Sequence, residues 1–359
     1  MKLVMTILAR DEADVIDAQI AFHLNAGADF VVATDNLSED GTTEILERYA
    51  RDGYLHLLRE PGRDLRQAEW VTRMARMAAA DFGADWVINT DPDEFWWPRG
   101  GSLKEVLAGI PERYGIVRAV VRNFPPRPDD GAFFAERMTA RLSAQAPIND
   151  PASQYSQYRP MWKVAHRGDA SVVVERGNHS LGKTRFVPVR GWHPIEVLHF
   201  PIRSQEQYAR KAAQQVAAFA KNPRGYGTRY HELAEKAEQA GRMDEVYASL
   251  ALGDDALAKG LRESSLTLDT RLRDALRELS DGRGDTPFAL PSDRAEPLEL
   301  PRPTLVDEAA HALDVAVLGE ADVVRVQRRL DLLELRLAEL EERLPVRLAR
   351  RLRRAVRRR

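Results

Sequence analysis

The sequence contains no cysteine, so it has no disulfide framework, no thiolate metal site and no cysteine nucleophile, which accords with a reducing, cytoplasmic setting. No stretch supplies the run of about twenty apolar residues that a membrane-spanning helix needs. The short apolar run near the start meets Arg10, Asp11 and Glu12 too early to serve as a signal peptide. Excess charge of one sign is also missing. The 53 Lys and Arg residues against 55 Asp and Glu leave a formal net charge of -2, so no nucleic-acid footprint covers the whole chain and no nucleic-acid partner is expected. What remains is a folded chain of 359 residues, 44% hydrophobic, with enough apolar content for one large core or two smaller ones.

The first hundred residues repeat one alternation of short apolar run, polar turn and helical pattern. Strands are expected at 3–8, 29–35, 54–60 and 84–91, and helices at 13–27, 42–53 and 66–83, the first ending at Gly27. His23 inside the first helix reads as a satisfied packing histidine. Such alternation implies right-handed crossovers and an α/β fold with a mainly parallel sheet, helices covering both faces. Ligands of such sheets bind beyond the carboxyl ends of the strands. The polar residues at those ends are Arg10, Asp11 and Glu12, then Asp35 and Asn36, then Asp91 and Asp93. Further strands are expected at 115–124, 161–166, 170–175 and 196–202, and helices from 204 to about 275. The expected organisation is a first domain over 1–215, a helical extension over 216–280, a Pro- and Gly-rich linker over 281–304 and a C-terminal helix over 305–359.

In that last helix, Val323, Val326, Leu330, Leu333, Leu337, Leu340 and Leu344 alternate three and four residues apart, the pattern of a coiled coil. Arg329 and Arg336 then fall at g positions facing Glu334 and Glu341 at e positions of a parallel partner, so a homo-oligomer is expected. The tail from 346 to 359 sets Val346, Leu348, Leu352 and Val356 among arginines, which suits peripheral contact with an anionic membrane surface.

The chemistry concentrates in VINTDPDEFWWP, residues 87 to 98. Asp91 and Asp93 flank a proline at the end of a buried strand, where unpaired charge is costly. A divalent cation compensates it, and Mg²⁺ or Mn²⁺ sites of this kind use one or two carboxylates and complete their shell with water and substrate phosphate. Glu94 is expected to support the loop or a sugar. Phe95, Trp96 and Trp97 either wall a sugar site or anchor the loop in the core. Asp35 is placed to accept from a base N–H or a ribose hydroxyl, whereas Ser38, Asp40 and Thr42 read as turn and capping residues.

The stretch ILARDEADVIDAQIAFHLNAGADFVVATDNLSEDGTTEIL, followed by ADWVINTDPDEFW, resembles family 2 glycosyltransferases of the GT-A fold, over roughly residues 1 to 215. The resemblance implies a GT-A, Rossmann-like sheet and a nucleotide-sugar donor, UDP-linked, with a glycan or glycoconjugate acceptor. It further implies that Asp35 binds the uracil, that Asp91 and Asp93 bind ribose and Mn²⁺ or Mg²⁺, and that Arg10, Asp11 and Glu12 line the nucleotide pocket. A further metal or diphosphate ligand is implied downstream. Two segments qualify: one with His179, set to contact sugar or acceptor, and one with His199, Arg203 and Lys211. His199 on the metal with Arg203 on the diphosphate is the preferred pairing.

The implied reaction is inverting displacement at the anomeric carbon, which needs a carboxylate base. Glu136, Asp150, Asp169 and Glu175 are the candidates, and the acidic pair that many members carry in this region is missing. Two other readings compete. Nucleotidyl transfer on the same fold calls for a Gly-rich loop after the first strand, and ARDEADV has no glycine. An inactive coiled-coil scaffold sits poorly with the intact Asp35, Asp91 and Asp93 set.

Overall fold

The structure, a computed structural model, describes residues 1–62, 66–148, 150, 152–158, 161–221, 237, 239–280 and 288–317. Strand β1 (Leu3–Ala9), helix α1 (Ile16–Asn25), β2 (Phe30–Asp35), α2 (Thr42–Arg51), β3 (Leu55–Arg59), α3 (Gln67–Ala80) and β4 (Trp86–Thr90) follow the expected alternation. Gly27, just past α1, has φ +114°, the left-handed backbone that lets the helix stop there. Period-two alternation explains how one strand serves two layers. Leu3, Met5 and Ile7 of β1 join the large core under α1 and α2, while Val4 points to the opposite face and packs with Val71, Met74 and Ala78 of α3. Helices therefore cover both faces, as the apolar runs implied.

The second half is built differently. Strand β5 (Glu94–Pro98), helix α4 (Leu103–Ala108), β6 (Ile116–Asn123), α5 (Phe134–Arg137), β7 (Ala140–Leu142), β8 (Trp162–Arg167) and β9 (Ile195–His199) come next. Helices α6 (Gln205–Lys221), α7 (Met243–Leu250) and α8 (Asp254–Arg262), strand β10 (Leu266–Leu268) and α9 (Arg271–Leu279) complete the first unit's regular elements. Eight strands form one sheet in the order β3-β2-β1-β4-β8-β6-β9-β5, and β10 pairs with β7 in a small second sheet.

The sheet is mainly parallel, as expected, with two of its eight strands, β8 and β5, reversed. Strands β3, β2, β1 and β4 are parallel, β8 is antiparallel to β4 and β6, β9 is parallel to β6, and β5 is antiparallel to β9. The reversal of β5 follows from the connection after β4: three residues, Asp91 to Asp93, separate the two strands, far short of the dozen or so that a parallel crossover needs, so β5 runs against β4. These directions put the carboxyl ends of β1, β2, β4, β6 and β9 and the amino ends of β5 and β8 on one rim.

One expectation fails locally. Residues 170–175 form no strand, leaving the isolated bridge Val174–Leu181. Of the two readings of Phe95, Trp96 and Trp97, the burial favours the core anchor: they form most of β5 and are at most 1% exposed. Phe22 of α1 stacks on Trp97 at 5.6 Å and meets Phe95 edge-on at 5.7 Å. Each buried aromatic side chain brings apolar area worth roughly 2–3 kcal/mol, so this strand is a core anchor.

Residues Met1–Glu308 form one compact unit. Within it, part of the segment read as a linker lies against the core, with Leu298 buried and Phe288, Leu290 and Leu300 packed on it. A second unit spans Ala309–Arg359, of which residues 309–317 are described and helical. The heptads from Val323 to Leu344 and the arginine-rich tail lie outside the described residues. No helix among the described residues is long and apolar enough to cross a membrane.

Candidate active site

The turn after β4 sets the geometry of the rim. Glu94 N–H donates to the Asp91 carbonyl at 3.2 Å, closing a β-turn with Pro92 at its second position, where a φ fixed near −65° is already correct. The turn ends in β5, whose register places Glu94 beside His199 of β9, and His199 in turn lies beside Asn123 of β6. Three neighbouring strands therefore deliver three polar side chains to one spot. The Asp93 carbonyl, accepting from Phe200 N–H at 2.9 Å, ties the turn to the end of β9.

Asp93, Glu94 and His199 each place a ligand atom within 4.8 Å of the others. The donor set expected from sequence was Asp91, Asp93 and His199. Glu94 joins the cluster because the strand register carries it there, and Asp91 lies beside it, 2.8 Å from the Lys163 ammonium that the two share, accepting from Gln67 and Asn178 on its other oxygen. The set suits a hard divalent cation. His199 Nδ1 donates to Asn123 Oδ1 at 2.8 Å, which leaves Nε2 as the lone-pair atom, 3.7 Å from Asp93 Oδ1. Burial lowers the imidazole to about 4, so it is neutral at pH 7. A neutral imidazole lone pair facing a carboxylate is an arrangement that a cation between them resolves.

Cations already crowd this rim. Burial alone pushes the Asp93 carboxyl up, but the Lys211 ammonium at 2.8 Å, helped by Arg203, outweighs it and holds the group well below the usual carboxylate range. Burial raises Glu94 to about 8 against the opposing pull of Lys163 at 2.6 Å. Arg203, 1% exposed, donates two hydrogen bonds to Asp14, at 2.7 and 2.8 Å, one to Glu12 and one to the Phe200 carbonyl. A guanidinium this buried persists only when so paired. Lys211, from the second turn of α6, is the more exposed of the two, so it and not Arg203 is the cation free to exchange partners.

The loop after β1 is sewn to the loop after β2. Asp11 accepts from Glu39 N–H at 2.6 Å and from the Gln214 amide of α6, and its own N–H donates to Ser38 Oγ at 3.1 Å. Glu12 N–H donates to Thr42 Oγ1 at 2.8 Å, and Asp40 accepts from Thr42 N–H at 3.1 Å and Ala13 N–H at 3.0 Å. Ser38, Asp40 and Thr42 thus hold the turn, the role their sequence pattern suggests. Asp35, 4% exposed at the end of β2, accepts from Ser38 N–H at 3.1 Å and from the Thr43 hydroxyl. Arg10 lies beside Asp11, its Nε 4.0 Å from the carboxylate.

The remaining candidates separate. His179 donates from Nδ1 to the Trp162 carbonyl at 2.8 Å. Its neighbour Asn178 touches the rim through Asp91 at 3.2 Å. Glu136 pairs with Arg277, and Asp169 accepts from Ser171 at 2.7 Å and faces Arg185 at 3.3 Å, so both are engaged elsewhere. Asp150 accepts from Ala152 N–H at 2.9 Å, and Glu175 is exposed on the same turn as Asn178. Sequence reasoning passed over Lys163. Its signal was there: a lysine inside the apolar strand MWKVAH, 3% exposed, has to be paired.

No family model matches the sequence, and no curated protein matches it. Among solved structures, the chain is similar to S. aureus TarS, residues 1–349, in complex with UDP, at 13% identity over 79% of this chain and 93% of that one, with a TM-score of 0.33. The same protein in complex with UDP-GlcNAc matches at 12% identity over 69% and 73%, with a TM-score of 0.33. The mannosyltransferase PcManGT from Pyrobaculum calidifontis, in complex with GDP-Man and Mn²⁺, matches at 18% identity over 73% and 79%, with a TM-score of 0.29.

Proposed function

We propose that this chain is a metal-dependent glycosyltransferase of the GT-A type, moving a sugar from a nucleotide-sugar, UDP-linked, to the hydroxyl of a glycan or glycoconjugate with inversion. One observation carries the reading: the motif residues Asp93 and Glu94 meet His199 at the ligand-binding rim of the sheet, with Lys211 set against them. Asp93, Glu94 and His199 would hold Mn²⁺ or Mg²⁺, which would supply neutralisation of the charge on the leaving diphosphate.

The chain's own residues do the rest. Lys211, at 2.8 Å from Asp93, exchanges that carboxylate for diphosphate oxygens once the donor enters. Arg203 keeps Glu12, Asp14 and Asp93 in register, joining the loop after β1 to the base of α6. Asp35 and Asp91 receive the base and the ribose, and Arg10 and Asp11 border them. Of the four base candidates, Glu175 lies on the turn that reaches Asp91 and is the one assigned to the acceptor hydroxyl. Nucleotidyl transfer receives no support, since the loop at 10–15 carries no glycine to cradle a triphosphate. We further assign the heptads to parallel self-association and the basic tail to an anionic membrane surface.

Titration calorimetry with UDP, with and without Mn²⁺, tests the reading. Metal-dependent binding that disappears in Asp93→Ala supports it, and no binding of UDP or GDP in either condition overturns it. Screening nucleotide-sugars for metal-dependent hydrolysis then identifies the donor.

A further inference from the structure

The segment 172–182 is a stretch of irregular backbone held with unusual care. Val174 N–H donates to Thr72 Oγ1 at 2.9 Å and Arg76 Nε donates to the Val172 carbonyl at 2.7 Å, so α3 pins its base. Glu175 N–H donates to the Ser180 carbonyl at 3.0 Å and Gly182 N–H to the Val173 carbonyl at 2.8 Å, closing the turn. Two successive residues inside it, Gly177 at φ +76° and Asn178 at φ +61°, are left-handed. A Cβ at 177 would lie 2.7 Å from the His179 ring, so only glycine fits there.

Asn178 is 1% exposed, and its Nδ2 donates to Asp91 Oδ1 at 3.2 Å. A carboxylate accepts and never donates, so this contact fixes which way the amide faces. Its other end, Oδ1, is buried and has no hydrogen-bond partner among the described residues. An unpaired buried carbonyl is a standing cost that glycine at the same left-handed position would avoid.

We propose that Asn178 is a donor-recognition residue: Nδ2 orients the Asp91 carboxylate, and Oδ1 accepts a hydrogen bond from the ribose hydroxyl that Asp91 also binds. This rests on the nucleotide-sugar reading of the rim and adds a residue to it. The pair then presents two acceptors in a fixed relation, which suits a vicinal diol and rejects a sugar ring lacking one hydroxyl. The cost of the unpaired oxygen in the free protein is removed when the ligand arrives.

The test is calorimetry with Mn²⁺ and either UDP or 2′-deoxy-UDP on the full chain, with urea unfolding alongside. Asn178→Gly keeps the left-handed backbone and removes the unpaired oxygen together with the bond to Asp91, so the two changes offset and its unfolding midpoint stays close to that of the wild type. Its UDP affinity falls about tenfold, the value of one hydrogen bond, and its preference for UDP over 2′-deoxy-UDP shrinks. Asn178→Asp, which sets a second carboxylate against Asp91, loses more. A wild type that binds UDP while Asn178→Gly binds it within twofold overturns the inference and leaves the proposed function standing. A tenfold loss with the 2′-deoxy preference intact also overturns the ribose assignment. A wild type that binds neither UDP nor GDP overturns both.

Discussion

His23 links the pH dependence of folding to the geometry of the rim. It is fully buried in α1, with Nδ1 donating to the Gln19 carbonyl at 2.7 Å and Nε2 accepting from Trp96 N–H at 2.9 Å. That second bond caps the outer edge of β5, the strand that starts at Glu94. Only the neutral ring makes both bonds, and burial lowers its pKa from 6.5 to about 4. A histidine depressed in this way takes up its proton in the unfolded chain first. Stability is therefore full above about 6.5 and falls as pH drops towards 4. From pH 7 to 4.5, the loss from His23 comes to about 2 kcal/mol. His23→Gln keeps a donor and an acceptor but does not titrate, so urea unfolding at pH 7, 5.5 and 4.5 should show a loss smaller than wild type by that amount. His166 and His199, both also lowered to about 4 by burial, contribute equally to both proteins. Equal pH slopes for wild type and His23→Gln would refute the reasoning.

Three further outcomes are expected. Lys211→Met should weaken UDP about tenfold in the presence of Mn²⁺, the worth of one charge-assisted bond, and leave uridine little changed; equal losses for the two would remove Lys211 from the diphosphate. Glu196, 1% exposed, pairs with Arg99 at 3.2 Å, Arg122 at 2.7 Å and Arg271 at 2.9 Å. Glu196→Leu should cost about 3–5 kcal/mol in urea unfolding, because three partly or fully buried guanidiniums lose their shared anion. Removing residues 320–359 should lower the mass measured by light scattering without altering UDP affinity, and an unchanged mass would exclude the heptads as the contact between copies.

The parallel half of the fold is legible because its strands are short apolar runs between capped helices, each with local punctuation such as Gly27. Asp91 and Asp93 are legible because a carboxylate at the end of a buried strand contradicts its surroundings. The role of Glu94 is not. It depends on the pairing of β5 with β9, more than a hundred residues apart, and no local pattern encodes that register. Trp96 and Trp97 stand between two readings in the sequence for the same reason: only the pairing of β5 and its packing under α1 separate a sugar platform from a core anchor. Lys163 and Arg122 left a usable signal, a charge inside an apolar strand. Asn178 left none, since Gly-Asn reads as an ordinary turn.

The span of the contact between Lys211 and Asp93, 118 residues, has a consequence for how the protein comes into being. During synthesis, Asp91, Asp93 and Glu94 leave the ribosome well before Lys163, Arg203 and Lys211, the cations that neutralise them. Until those arrive, the first half of the sheet carries a cluster of carboxylates that resists burial. The rim therefore closes late in folding, after α6 has been made, and a chain stopped near residue 150 would hold the loops after β1 and β4 open.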